Sequence, residues 1–372
     1  MTLSFCALSF SIFIFTKPIS GTTLSSTVSG LQPKVMSIMT TLITFALCMI
    51  SLPNINDVWD VSEDNFNAIA LEIFQYQAKN NKVYAEYLQL IDKQPKKVEH
   101  FTQIPFLPIS FFKTHQVVCG NYTPQKIFES SSTTGLNTSK HLVKDVNLYH
   151  TNCLKIIEQK LGYISEYQIS GLLPSYLERD NSSLVSMVAY LMKHNNQESA
   201  FFMYNHSQLF DQLQNSSSKQ LLFGVSFALL DFAENHNVSS QNLTIIETGG
   251  MKGRKKEMTK AEVYAELKRA FPNATIISEY GMTELLSQAY SDANALYTCP
   301  PWMKVLPRAD NDPLSHEARG HTAALNIIDL ANLHTCSFIA TDDLGKVYNN
   351  GKFEVSGRID YSDIRGCSLM VM

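Results

Sequence analysis

The feature that most constrains this chain is an alternation that runs from about Lys126 to Glu284. Short, apolar, β-branched runs take turns with stretches whose apolar residues recur every three or four positions. "KIFES", "SEYQISG", "SAFFMYN", "QLLFGVSF", "NLTIIETGG" and "ATIISEYGMTE" read as strands. Between them, Asp145 to Leu161, "NSSLVSMVAYLMKH", His206 to Gln214, "ALLDFAENH" and Thr259 to Ala270 read as helices. Thr259-Lys-Ala-Glu262 is a capping box, and Pro272 closes that last helix. After Leu285 the helical period stops, and "LSQAYS", "WMKVLP", "AALNIIDL", "CSFIATDD", "GKVYN" and "KFEVSGR" read as strands. The pattern predicts α/β layers with a β-rich closing part.

Upstream, "SEDNFNAIALEIFQYQAKNN" and Lys82 to Ile91 have helical spacing, and "IPFLPISFFK", with two prolines, reads as an extended connector. The first fifty residues stand apart. They hold no Asp, Glu or Arg, and Lys17 and Lys34 are their charges. Neither of their apolar patches reaches eighteen continuous apolar residues, and no basic segment precedes the first. The expectation is a start-site choice upstream of a protein that begins near Met49, with a weak membrane anchor as the rival. Residues 51–360 are then the working domain, and 361–372 a short tail.

A net charge of -4 and the lack of any basic run argue against a nucleic-acid partner. Seven scattered cysteines, never in CxxC spacing, argue against a disulfide framework or a structural zinc site. They fit reduced thiols in a cytoplasmic protein. Asn137-Thr138-Ser139 is a glycosylation sequon, and a glycan there would conflict with a phosphate pocket in the same loop.

In α/β folds ligands gather at the carboxyl ends of strands. Three predicted strands end in Gly, Ser, Thr or acidic clusters: Ser130 to Gly135, Thr248 to Gly250, and Tyr280 to Glu284. The first lies in "FESSSTTGLNTSKH", where hydroxyls, loop N–H groups and Lys140 could surround a phosphate. The Walker and GxGxxG patterns are absent. Thr283 and Glu284 could hold a phosphate and its Mg²⁺, which favours one or two carboxylates plus phosphate oxygens. "TDDLG" and "GRID" offer Asp343 for ribose hydroxyls and Arg358 for bidentate oxygen contacts. Taken singly, these stretches read better as a solvated linker, a strand-to-turn junction and hairpin turns.

Their order narrows the choice. A Ser/Thr/Gly loop ending in Lys, then a Gly-Gly strand end, YGxTE, TxDxG and GRxD together resemble the adenylate-forming superfamily. Its members include acyl- and aryl-CoA ligases, luciferases and peptide-synthetase adenylation domains. "FESSSTTG", "GLLPSYLERDNSSLVSM", "EYGMTELLSQAYS" and "GRIDYSDIRGC" are most similar to acyl-protein synthetases of the LuxE type, with phenylacetate–CoA ligases as cousins. The resemblance implies the large N-terminal domain of an adenylate-forming enzyme, layered α/β sheets plus a β-rich subdomain. The usual C-terminal mobile domain is essentially absent, since only Tyr361 to Met372 follow the expected hinge at Asp360.

The resemblance also implies residue roles. Ser130, Ser131, Ser132, Thr133, Thr134 and Gly135, with Lys140, form the phosphate loop. Gly249 and Gly250 line the adenine pocket with Glu279, Tyr280 and Gly281. Thr283 contacts phosphate, Glu284 holds Mg²⁺, Asp343 takes the ribose hydroxyls and Arg358 supports them. Cys367 matches the thiol that receives the acyl group before a partner protein does. The implied activity is ATP-dependent activation of a fatty or other carboxylic acid as an acyl-adenylate, followed by transfer to a protein thiol such as Cys367. CoA or an acyl carrier protein is the alternative acceptor. A catalytically degenerate adenylate-binding partner is the third reading. Ser132 stands where the family loop carries Gly, and strain follows if that position needs φ > 0.

Overall fold

A computed structural model describes residues 52–130, 138–173, 181–195, 197–203, 205–250, 258–310, 312–315 and 317–359. All of them fall in the unit Ser51–Met372. The first fifty residues, Ser131 to Gly135, Asp360 and Cys367 lie outside the described residues.

The helices in chain order are α1 (Ile55–Trp59), α2 (Phe66–Asn80), α3 (Lys82–Leu90), α4 (Phe111–Thr114), α5 (Val146–Leu161), α6 (Ser183–Lys193), α7 (His206–Asn215), α8 (Ser226–Asn235) and α9 (Lys260–Ala270). The strands are β1 (Leu107–Pro108), β2 (Lys126–Glu129), β3 (Lys140–Val143), β4 (Tyr167–Leu172), β5 (Ala200–Phe201), β6 (Lys219–Gly224) and β7 (Leu243–Glu247). They continue with β8 (Thr275–Tyr280), β9 (Ala289–Ser291), β10 (Tyr297–Thr298), β11 (Met303–Arg308), β12 (Thr322–Asp329), β13 (Phe338–Val347) and β14 (Phe353–Arg358).

Local chemistry sets the helix starts. The Asp145 carboxylate accepts the N–H groups of Asn147 and Leu148 ahead of α5. Ser182 accepts from Val185 ahead of α6. Thr259 and Glu262 form the predicted capping box of α9.

Twelve of these strands form one sheet in the order β11-β12-β13-β14-β10-β9-β8-β7-β6-β4-β5, with β1 added alongside β13. β4 to β8 pair in parallel, so their helices cover the sheet. From β8 onward the pairing along this order is antiparallel. β8 is therefore the joint between the two halves, and β4, β6, β7 and β8 all end on one side of the parallel half.

Three sequence expectations need correction. "IPFLPISFFK" is more than a connector: β1 pairs in parallel with β13, Leu107 opposite Ile339, and α4 follows. Burial of Phe106, Leu107, Ile109 and Phe112 is the driving term. Lys140 and His141 leave the Ser/Thr loop to pair with Glu129 and Phe128 in a β2–β3 hairpin. "TDDLG" is no turn; it lies inside the ten-residue β13, so Asp343 is held by sheet hydrogen bonds.

Candidate functional site

At the joint, the ends of β6, β7 and β8 open into a cavity of about 190 Å³. That is several times the roughly 30 Å³ share of a water molecule, so it is room for a ligand.

The β7 wall is electrostatically dense. Glu247 is buried at the strand end. Its carboxylate accepts the Ser226 hydroxyl, the Ser278 hydroxyl at 2.6 Å and the Gly249 N–H at 2.8 Å. Lys260 Nζ lies 3.6 Å away. Burial alone would raise this carboxyl, but Lys260, the two hydroxyls and the N–H outweigh it and hold Glu247 below the usual carboxylate range. Lys260 also donates to the Tyr297 hydroxyl and sits 4.8 Å from that ring's centroid. Gly249 and Gly250 turn away with φ of 71° and 92°, a region that a side chain would strain.

β8 supplies both faces of the wall. The Tyr280 hydroxyl donates to Asp343 Oδ2 at 2.8 Å, and Arg358 Nε donates to Oδ1 at 3.0 Å. The Asp343 and Arg358 side chains are 6% and 9% exposed, so the pair is a buried one. Side chains alternate along a strand, so Glu279 faces the opposite way from Tyr280. Burial first, then the nearby charge of Glu247, pushes the Glu279 carboxyl up to about 8, with Lys260 only partly offsetting them.

Beyond β8 the chain turns through Gly281 to Gln288 without regular structure, and Thr283 and Glu284 face the cavity. Glu284 is fully buried. Four buried polar side chains hold this turn. His141 Nδ1 donates to the Thr283 carbonyl at 2.8 Å, and Asn332 Nδ2 to the Glu284 carbonyl at 2.9 Å. Asp329 accepts the N–H groups of Leu286 and Ser287 at 2.8 and 2.9 Å. Asn152 Nδ2 donates to the Leu286 carbonyl at 2.9 Å.

Of the residues expected from the sequence, Ser130, Gly249, Gly250, Glu279, Tyr280, Gly281, Thr283, Glu284, Asp343 and Arg358 all line this one cavity. Lys140 does not; it is exposed on β3, 3.6 Å from Glu129, which does line it. Ser131, Ser132, Thr133, Thr134, Gly135 and Cys367 lie outside the described residues. Sequence reasoning missed Glu247, Ser226, Lys260 and Tyr297 on the walls, and His141, Asn332, Asp329 and Asn152 behind the turn. Glu247 carried a usable signal, an acid closing an apolar strand just before two glycines.

Among the described residues, no group of three His, Cys, Asp or Glu side chains could hold a metal. A cation held beside Glu284 would have to draw most of its ligands from phosphate and water. No helix among the described residues is long and apolar enough to cross a membrane.

Solved structures share this fold. An open form of 2-hydroxyisobutyryl-CoA ligase with 2-HIB-AMP and CoA matches 80% of this chain and 70% of its own, at 12% identity and a TM-score of 0.60. The thioesterification state of that enzyme matches 82% and 70%, at 14% identity and a TM-score of 0.60. ATP-bound MatB from Rhodopseudomonas palustris matches 64% of this chain and 49% of its own, at 14% identity and a TM-score of 0.48, so the match spans about half of MatB's length. No curated protein matches the chain. The α/β layout with its large sheet is thus that of the adenylate-forming ligases, the fold expected from the sequence. The family model of acyl-protein synthetases, LuxE, matches residues 54–372, nearly all of the sequence that builds the sheet and the cavity, and the chain belongs to that family.

Proposed function

We propose that this chain uses ATP to activate a carboxylic acid as an acyl-adenylate and passes the acyl group to a protein thiol, with Cys367 as the first acceptor. One observation carries the reading. Ten residues expected to handle a nucleotide, scattered from Ser130 to Arg358, face a single cavity in a chain of the acyl-protein synthetase family.

In this reading Gly249, Gly250 and Tyr280 flank the adenine. Asp343 receives the ribose hydroxyls. Its two oxygens already accept from Tyr280 and Arg358, and each keeps a second lone pair for a ligand. The loop from Ser130 to Gly135, Lys140 and Thr283 take the phosphates. Glu284 binds Mg²⁺, which when present neutralises phosphate charge. The acid's carboxylate oxygen attacks the α-phosphorus, the bond to the β-phosphate oxygen breaks, and pyrophosphate leaves. The protein need not supply a nucleophile for that step. It positions two anions and offsets their charge. A thiolate then attacks the acyl carbon and AMP departs. For the acid, the family resemblance points to a fatty or other carboxylic acid.

The test is acid-dependent ATP–pyrophosphate exchange with the full chain and Mg²⁺, followed by intact mass. The expected result is exchange, plus a hydroxylamine-sensitive mass increase that Cys367→Ser abolishes. Silence with every acid overturns the adenylation reading. An adduct that persists in Cys367→Ser overturns that acceptor. Exchange without any adduct, restored to full turnover by CoA, assigns the acceptor to CoA instead. Glu284→Gln should lower exchange by about 100-fold or more, because a charge aimed at the transferring phosphoryl group is lost.

A further inference from the structure

Lys260 stands where physical chemistry resists a lysine. It opens α9, at the helix end where the macrodipole is positive and a cation is disfavoured. Its side chain is 23% exposed, and a lysine held that far from water needs partners. Thr259 and Glu262 already cap the helix, so α9 does not depend on a lysine to start. Burial opposes the charge, but Tyr297 and Glu247 more than offset it, and the amine stays protonated.

The two partners belong to two different walls of the cavity. Glu247 ends β7 and accepts the Gly249 N–H at 2.8 Å. The start of α8 holds the same turn from the other side. The Ser226 N–H donates to the Gly249 carbonyl at 3.0 Å, and the Phe227 N–H to the Gly250 carbonyl at 3.3 Å. The Ser226 hydroxyl also donates to Glu247. The glycine turn is thus pinned through Glu247, and Lys260 Nζ lies 3.6 Å from that carboxylate.

Tyr297, the other partner, sits in an aromatic trio on the far wall. Its ring centroid is 5.8 Å from that of Tyr280 and 5.2 Å from that of Phe353. Tyr297 and Phe353 are opposed across β10 and β14. Tyr280 in turn donates to Asp343. One amine therefore joins two chains of contacts. The first runs through Glu247 to Gly249, and the second through Tyr297 to Tyr280 and Asp343. All of these residues line the cavity.

We infer that Lys260 is a positioning residue for the nucleotide, fixing the gap between the Gly249–Gly250 turn and the Tyr280 ring through Glu247 and Tyr297. The inference rests on the reading that this turn and this ring flank the adenine, and it deepens that reading. A planar base gains its contacts only at a narrow separation. Widening a gap by about 0.5–1 Å forfeits about a quarter to a half of each dispersion contact. A tie across the two walls holds the gap before the base arrives. Its effect belongs to nucleotide binding and not to the transfer step, so it falls on the KM for ATP rather than on kcat.

The experiment uses the full chain with Mg²⁺ and reads two quantities: ATP–pyrophosphate exchange, and ATP binding by calorimetry without acid. Lys260→Met should raise the KM and Kd for ATP by about ten-fold or more, with kcat and the KM for the acid within about three-fold. Lys260→Arg keeps the charge and can still reach both partners, so it should recover most of the loss. Tyr297→Phe removes only the hydroxyl and should weaken ATP binding in the same direction. Combined with Lys260→Met it should add little, because both act through one bond. Unchanged ATP affinity in Lys260→Met overturns the inference, and so does a loss fully additive with Tyr297→Phe. A fall in kcat with the KM for ATP unmoved also overturns it. If Lys260→Met does not fold, Tyr297→Phe decides, and unchanged ATP affinity there is the overturning result. A wild-type chain that binds ATP but exchanges pyrophosphate with no acid removes adenylation, while the Kd comparison still decides the role of Lys260. A chain that binds no ATP removes both.

Discussion

Arg358 and Asp343 are cross-strand partners on β14 and β13, both nearly inaccessible and joined at 3.0 Å. Removing one member of a buried pair strands the other charge, at about 3–5 kcal/mol. Arg358→Ala should therefore lower the melting temperature as well as raise the KM for ATP, and calorimetry beside exchange kinetics separates the two effects. Glu279 gives a pH signature. Its folded-state carboxyl is raised to about 8 from an ordinary 4.5. The stability it contributes is complete below its unfolded value and is lost as pH climbs through the folded one. Glu279→Gln should thus flatten the fall in melting temperature between about pH 4.5 and about pH 8, and be the more stable protein at the alkaline end. If the two melting curves run parallel across that range, Glu279 is not the titrating group. At this scale the sequence was legible for residues that line the cavity, because YGxTE, TxDxG and GRxD are short and local. It was opaque for Lys260 and Tyr297, whose chemistry exists only once α9 and β10 meet at Glu247.

Between Gly281 and Gln288 an irregular element carries Thr283 and Glu284 to the cavity. Its backbone groups are satisfied by side chains from four separate places: His141 on β3, Asn152 on α5, Asp329 at the end of β12, and Asn332 just after it. Trp302 and Asn152 add bonds to Ser287 Oγ at 3.1 and 3.0 Å. The turn is rigid because its hydrogen bonds go to buried partners rather than to water. His141→Ala removes the bond to the Thr283 carbonyl and the one between Nε2 and Thr335 Oγ1. With about 1–3 kcal/mol attached to a buried group left unpaired, kcat for exchange should drop by roughly ten-fold or more. KM for the acid should hardly move, because His141 lies behind the Thr283 side of the turn. A His141→Gln variant, which can still donate, should recover part of the loss. Nothing local in "SKHLV" announces this role. A histidine in an apolar strand reads as a packed core residue until Thr283, 142 positions later, is set against it.

For the whole molecule, the layer order was readable because parallel strands and their helices impose distinct periods. The β-rich half was readable as strands but not as one continuous sheet. Two-residue strands such as β1, β5 and β10 bury too few side chains to leave a period, and β10 is what links β9 to β14 within the antiparallel half. The same sheet ties sequence extremes together. Gln77 of α2 donates to the Asn332 carbonyl at 2.9 Å and accepts from the Ser337 N–H at 2.9 Å. Phe74 and Tyr84 pack on Phe338 with centroids 6.0 and 6.5 Å apart. These contacts span about 250 residues, and long-range closure of this kind slows folding. They also impose an order of events during synthesis. The ribosome releases α2 and α3 long before β13 exists, so their apolar faces must wait, shielded by chaperones or by provisional contacts. A chain ended after Pro300 should therefore expose α2 and α3 to chymotrypsin at least about ten-fold faster than the full chain does, while the parallel half resists. The helices made first are the last to be locked in place.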